Sequence, residues 1–296
     1  MLWRVLLLVF LAGGALALAP QAPAAAASGR IVFTVDGVER SAFLVEKARL
    51  RRKTRPVIIL LQDAARNAPI WRRALRFERF AENGGIFVHA EPLDGVWTFS
   101  AADGAAREIA YLRRLVEEVA SNALADRSRV YLVGVGSGGA VALQAVCGAG
   151  GYAGVAAILT SLSPDALEAC RPAKPMPALF IAGAADKRVP IDGGMGDLPG
   201  YAGPLAGVEA VANVFAKASA CAPRRVRSEL PDRDRGDGSR VVAESFSGCA
   251  EPVRLLRIVG GGHVPPVRAA GARIQGQNRD VSTSRTVLTF FKLPGG

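Results

Sequence analysis

The stretch Leu132-Val133-Gly134-Val135-Gly136-Ser137-Gly138-Gly139 decides how this chain is read. Val130 to Val135 is apolar and β-branched, the composition of a buried strand. Gly136 to Gly139 break the run, and Ala140 to Val146 reads as helix. A tight, glycine-dense turn therefore joins a strand to a helix at mid-chain.

The same alternation extends in both directions. Upstream, Ala106 to Ala120 sets Ile109, Leu112, Leu115, Val116 and Val119 on one helical face. Val57 to Leu61 and Ile86 to Ala90 are unbroken apolar runs of strand length, with a predicted helix over Ile70 to Ala81 between them. Ile31 to Val35 and Ser41 to Val45 flank Asp36-Gly37, a hairpin signal. Downstream, Val155 to Leu159, Ala178 to Ala182 and Val253 to Val259 are further predicted strands. Val208 to Phe215 and Ser284 to Phe291 are predicted helices, and Val226 to Leu230 with Val241 to Phe246 reads as a second hairpin. Buried strands alternating with helices imply an α/β protein, a mostly parallel sheet covered on both faces. With 296 residues, half of them hydrophobic, one domain over 28–296 is the simplest organisation.

Residues 1–27 read as an export signal: Arg4 near the start, an apolar run from Val5 to Leu18, then small residues ending at Ala27. A secreted or periplasmic protein is expected, and an uncleaved anchor is the alternative. No later stretch is long and apolar enough to span a bilayer. The formal charge is +11, with basic tracts over Lys47, Arg49, Arg51, Arg52, Lys53 and Arg55, and over Arg72, Arg73, Arg76 and Arg79. These are either solvated faces or a means of attachment to an acidic envelope surface. The first tract has no interleaved aromatics and the chain reads as exported, so no nucleic-acid partner is expected.

Cys147, Cys170, Cys221 and Cys249 form an even set, which in an oxidising compartment suggests two disulfides. Three pairings are open; the short-range one, Cys147–Cys170 with Cys221–Cys249, is expected. C-x-x-C spacing is absent and there are two histidines, so neither a metal nor a cofactor is expected.

A glycine-dense strand-to-helix turn in such a sheet raises the α/β-hydrolase plan, in which G-x-S-x-G places a nucleophilic serine on a strained elbow. The residues two before and two after it must be small, because strand and helix backbones nearly touch. Two registers fit. With Ser137 as nucleophile, Val135 stands where a small residue is wanted. With Gly136 at the elbow, Gly134 and Gly138 flank it correctly, and Ser137 becomes the following residue, whose backbone N–H serves an oxyanion. A plain Gly-rich turn is the simplest alternative. Asp186, just after a predicted strand, and His263, in Gly260-Gly261-Gly262-His263 after the last strand, follow in the chain order of a catalytic acid and base.

These segments together resemble the secreted polyhydroxybutyrate depolymerase and feruloyl-esterase-like family of α/β hydrolases. The resemblance runs from about Gly37 to Phe291. It is carried by Ser128 to Leu143, by Cys170-Arg171-Pro172 through Gly194, by Cys221-Ala222-Pro223 through Ser247-Gly248-Cys249, and by Gly260 to His263. It implies an ester, aromatic-acid or polyester ligand, and a disulfide at the second hairpin. It also makes the departures visible. The family's elbow serine falls on Gly136. Its oxyanion loop Leu-His-Gly is here Leu61-Gln62-Asp63, and a carboxylate at Asp63 would oppose a developing oxyanion. Thr-Trp-Pro after the catalytic histidine is replaced by Val264-Pro265-Pro266. Two expectations follow: a catalytically impaired scaffold that holds its ligand, or an active carboxyl-ester hydrolase using Ser137 with His263 and Asp186.

Overall fold

The structure, a computed structural model, describes residues 28–46, 54–64, 68–100, 102–148, 150–268, 274–293 and 296. The expected export signal and Lys47 to Lys53 of the first basic tract lie outside the described residues.

Ten strands form one sheet. They are β1 (Gly29–Val35), β2 (Val38–Val45), β3 (Arg55–Leu61), β4 (Ile86–Ala90), β5 (Ala125–Val135), β6 (Gly154–Ile158), β7 (Ala178–Gly183), β10 (Ala222–Glu229), β11 (Arg240–Ser247) and β12 (Val253–Val259). The small strands β8 (Gly194–Leu198) and β9 (Tyr201–Leu205) pair apart from it. The order across the sheet is β1-β2-β4-β3-β5-β6-β7-β12-β11-β10. From β4 through β12 all neighbours are parallel, and an antiparallel pair extends the sheet at each end.

The apolar runs were fully buried strands for a reason visible in β3. Val57, Ile59 and Leu61 point into one core with Tyr111, Leu112 and Leu115 of α2 (Ala102–Asn122) and Val141 of α3 (Ser137–Gly148). Ile58 and Leu60 point to the other face, with Phe77, Phe80, and Val287 and Leu288 of α6 (Thr283–Phe290). Each such side chain contributes about 1.5–3 kcal/mol by leaving water. Helix α5 (Val208–Ala218) adds Val211 and Phe215 to the first core.

The helix expected over Ile70 to Ala81 is two pieces, α1 (Ala68–Leu75) and a 3₁₀ turn over Phe77–Asn83. The chain turns at Arg76, whose φ of 49° is left-handed, and this rotates Phe77 and Phe80 into the second core. Helix α4 (Pro164–Ala169) and the β8–β9 pair were not expected. Cys147 is joined to Cys170 and Cys221 to Cys249, which suits an oxidising compartment. Among the described residues no helix is long and apolar enough to cross a membrane.

Candidate functional site

The parallel strands end at one edge, where a ligand-binding crevice is expected in open α/β sheets. Four loops meet there, after β3, β5, β7 and β12.

The turn after β5 is as tight as its glycines demand. A Cβ on Gly134 would lie 2.5 Å from the Gly138 carbonyl oxygen and 2.7 Å from the Gly139 nitrogen. A Cβ on Gly138 would lie 2.5 Å from the Leu61 carbonyl oxygen. Strand β5, helix α3 and the end of β3 are therefore in backbone contact, and only glycine fits at either place. Gly136 sits at the apex with φ 56°, its carbonyl accepting the Gly139 and Ala140 amides as α3 begins. Val135 points into the second core and is buried.

The space beside Gly136 is filled from the β3 loop. A Cβ on Gly136 would lie 2.6 Å from Asp63 Cγ and nearer still to Oδ1. The Asp63 carboxylate, 2% exposed, accepts the Ser137 backbone N–H at 3.0 Å through Oδ1. Its Oδ2 lies 3.8 Å from Arg188 Nη1. Ser137 is wholly buried; its hydroxyl donates to the Asp63 carbonyl oxygen and lies 3.4 Å from Oδ1. Among the described residues, its hydroxyl has no hydrogen bond to an imidazole.

Asp186 and His263 are brought together. His263 Nδ1 lies 2.7 Å from Asp186 Oδ2, while Asp186 Oδ1 accepts the Arg188 and Val189 amides at 2.8 and 3.0 Å. A carboxylate only accepts, so Nδ1–H donates to Asp186, and in the neutral imidazole Nε2 is the acceptor. The loops that hold them are stitched together. The Ala185 amide donates to the Gly261 carbonyl at 2.8 Å, and a Cβ on Gly183 would lie 2.5 Å from that same oxygen.

Gln62 does not reach this pair. Its side-chain amide nitrogen donates to His89 Nδ1 at 2.9 Å, and its main-chain carbonyl oxygen accepts Trp97 Nε1–H at 2.6 Å. His89 Nε2 lies 2.9 Å from Glu78 Oε1. Burial would raise the Glu78 carboxyl, but its contact with His89, a backbone N–H and the Arg72 hydrogen bond outweigh it and hold the group down at about 2. Trp97, His89 and Glu78 thus anchor the loop that carries Asp63. No motif marked these contacts, because the partners are 27 and 35 residues from Gln62 along the chain. A cavity of about 580 Å³ opens beside Gln62 and Ala64, floored by Ser41, Phe43, Arg72 and His89; its lining does not include Asp186 or His263.

This strand order, with an acid after β7 and a histidine after β12, decides the architecture. The chain has an esterase-like α/β-hydrolase fold. It is similar to a protein provisionally named the esterase NocK of Nocardia uniformis subsp. tsuyamanensis, at 27% identity over 259 residues, covering 80% of this chain and 74% of that one. It is also similar to feruloyl esterase B of Piromyces equi, at 24% identity over 157 residues, covering 48% of this chain and 28% of that one. The esterase-like scaffold thus aligns over most of NocK but little more than a quarter of the feruloyl esterase. Among solved structures, a thermophilic esterase from Thermogutta terrifontis, Est2, with propionate bound, superposes with a TM-score of 0.52 at 14% identity, over 80% of this chain and 84% of that one. At that identity the likeness is one of fold. No family model matches the chain.

Proposed function

We propose that this is an exported protein on an esterase scaffold whose nucleophile position is Gly136, and that it holds an ester, an aromatic acid or a polyester segment without cleaving it through an acyl-serine. One observation carries the reading: the Asp63 carboxylate fills the space a side chain at residue 136 would need. Two others support it. The Ser137 amide, which in the Gly136 register would face an oxyanion, is taken by Asp63. The Ser137 hydroxyl is buried and bonded to the same residue. A fixed negative charge here would oppose the charge that develops in acyl transfer, whereas a preorganised donor would stabilise it.

What remains can recognise. His263, oriented by Asp186, offers Nε2 as an acceptor for a ligand hydroxyl or acid proton. The similarity to feruloyl esterase B, together with the polyhydroxybutyrate-depolymerase-like motif set, favours aromatic and hydroxyacyl esters as the chemical class. The retained Asp186–His263 bond favours a second reading, an active carboxyl-ester hydrolase using Ser137. That reading requires the hydroxyl to leave Asp63 and reach the imidazole.

The two readings separate on turnover and binding measured together. Residues 28–296 should show no hydrolysis of p-nitrophenyl butyrate, methyl ferulate or hydroxybutyrate oligomers that His263→Ala abolishes. One of those esters, or its acid, should raise the melting temperature of the natural chain and do so less with His263→Ala. Hydrolysis that disappears with both His263→Ala and Ser137→Ala would establish the enzyme.

A further inference from the structure

A second feature stands apart from the elbow. Beside α6 the surface carries an open groove of about 1350 Å³. It reaches from Leu230 and Pro231, past the end of β10, to Cys249 and Pro252, before the start of β12. β10 and β12 run the same way in the sheet, so the groove follows the length of a strand, about 20 Å at ~3.3 Å per residue.

Its lining is strongly basic. Arg79, Arg233, Arg254, Arg268, Arg285 and Lys292 all line it and are all exposed. Among the described residues, no carboxylate stands within ion-pair distance of any of these six. The two acidic residues of the lining are already engaged. Asp280 accepts the Arg233 and Asp234 amides at 2.6 and 3.0 Å and the Asn278 side-chain amide at 2.8 Å. Asp234 lies 3.5 Å from Arg279. Partial burial, with the charges of Arg285 and Arg76 adding to it, pulls the Arg79 guanidinium below its ordinary value. The cations come from six separate places in the chain, and of the basic tracts in the sequence only the one ending at Arg79 contributes.

We infer that this groove binds a linear acidic polysaccharide, one carrying a carboxylate on successive sugars. The groove's extent along a strand suits a linear chain. None of the exposed large hydrophobic side chains lines it, so no apolar anchor for a membrane is offered. A guanidinium faces each of its two aromatic rings, Arg225 at 4.5 Å from Phe246 and Arg254 at 5.8 Å from Phe290, which disfavours the base stacking by which single-stranded nucleic acid is held. Guanidinium groups spaced along a groove pair with carboxylates spaced along a polymer, and the affinity comes from many weak, salt-screened contacts.

The test uses residues 28–296 and polygalacturonate as the probe, with neutral dextran as reference. Polygalacturonate should bind at low salt and release as salt is raised, and dextran should not bind. The variant Arg268→Gln/Arg285→Gln/Lys292→Gln should weaken binding roughly tenfold or more, since charge-neutralising contacts dominate such affinities. The variant Arg107→Gln/Arg113→Gln/Arg127→Gln removes equal charge from exposed sites elsewhere and should change it less than about twofold. Equal losses in the two variants would reduce the effect to net charge and overturn the inference. So would no binding of polygalacturonate, or groove-dependent binding that is tighter for single-stranded DNA or phosphatidylglycerol vesicles.

Discussion

The Asp63 carboxylate occupies the place of a side chain at Gly136: a Cβ there would lie 2.6 Å from Asp63 Cγ. The two residues form one unit. A glycine at the apex makes room for the carboxylate, and the carboxylate closes the Ser137 amide. A serine at 136 and an aspartate at 63 are sterically exclusive in this geometry. Losing one member of a triad leaves only the residual catalysis of binding and oxyanion donors, and here the donor is itself occupied.

Exclusivity appears as coupling. Gly136→Ser alone should cost about 2–4 kcal/mol, from overpacking and from a side chain at left-handed φ. Asp63→Ala alone should cost about 1–3 kcal/mol by leaving a buried amide unpaired. The double variant should be more stable than the sum of the two by at least about 1 kcal/mol. Urea unfolding of the four proteins measures this, and simple additivity would remove the contact from the account.

Ser137 has a structural role in this account. Its hydroxyl donates to the Asp63 carbonyl oxygen in a fully buried setting. Ser137→Ala should therefore lower stability by about 1–2 kcal/mol. A neutral effect in the same unfolding measurement would indicate a hydroxyl free for other work.

The Glu78 carboxyl is held at about 2, below its ordinary 4.5, so its contribution has a defined pH window. The group is depressed in the folded state; its stabilisation is present above pH ~4.5 and is lost as pH falls toward 2. Glu78→Gln should be less stable than the natural chain by roughly 1 kcal/mol at pH 7, because solvent screens this partly exposed cluster. The gap in melting temperature should narrow through that window and nearly close at its lower end. A gap that is constant with pH would mean that the carboxylate charge is not what anchors His89.

Cys221–Cys249 closes a loop over a separation of 28 residues and ties the base of the β10–β11 hairpin. Replacing both with serine should cost about 3.5 kcal/mol on the chain-entropy argument. Guanidinium unfolding checks the value. Because the hairpin borders the basic groove, polygalacturonate binding should weaken in the same variant.

Much of this was legible in the chain itself. Unbroken apolar runs such as Val57 to Leu61 identified strands covered on both faces, and the spacing of Gly134, Gly136 and Gly138 identified where strand and helix touch. The order elbow, Asp186, His263 singled out two residues that the fold places 2.7 Å apart. Strands β8 and β9 escaped notice because Gly194 to Leu205 is rich in glycine and proline and lacks a β-branched pattern. Helix α4, six residues long, is too short to show a period. The helix break at Arg76 rests on a left-handed φ that nothing in the residue type announces. Asp63 was recognisable as the wrong residue for an oxyanion loop, but its direction depends on contacts across a separation of 74 residues.

The most direct measurement is fluorophosphonate labelling of residues 28–296, read by intact mass beside the variant Asp63→Ala/Gly136→Ser. The natural chain should give no adduct and the variant a single adduct, at residue 136. A single adduct on the natural chain, mapped to Ser137 and lost in His263→Ala, would contradict the assignment of the nucleophile position to Gly136.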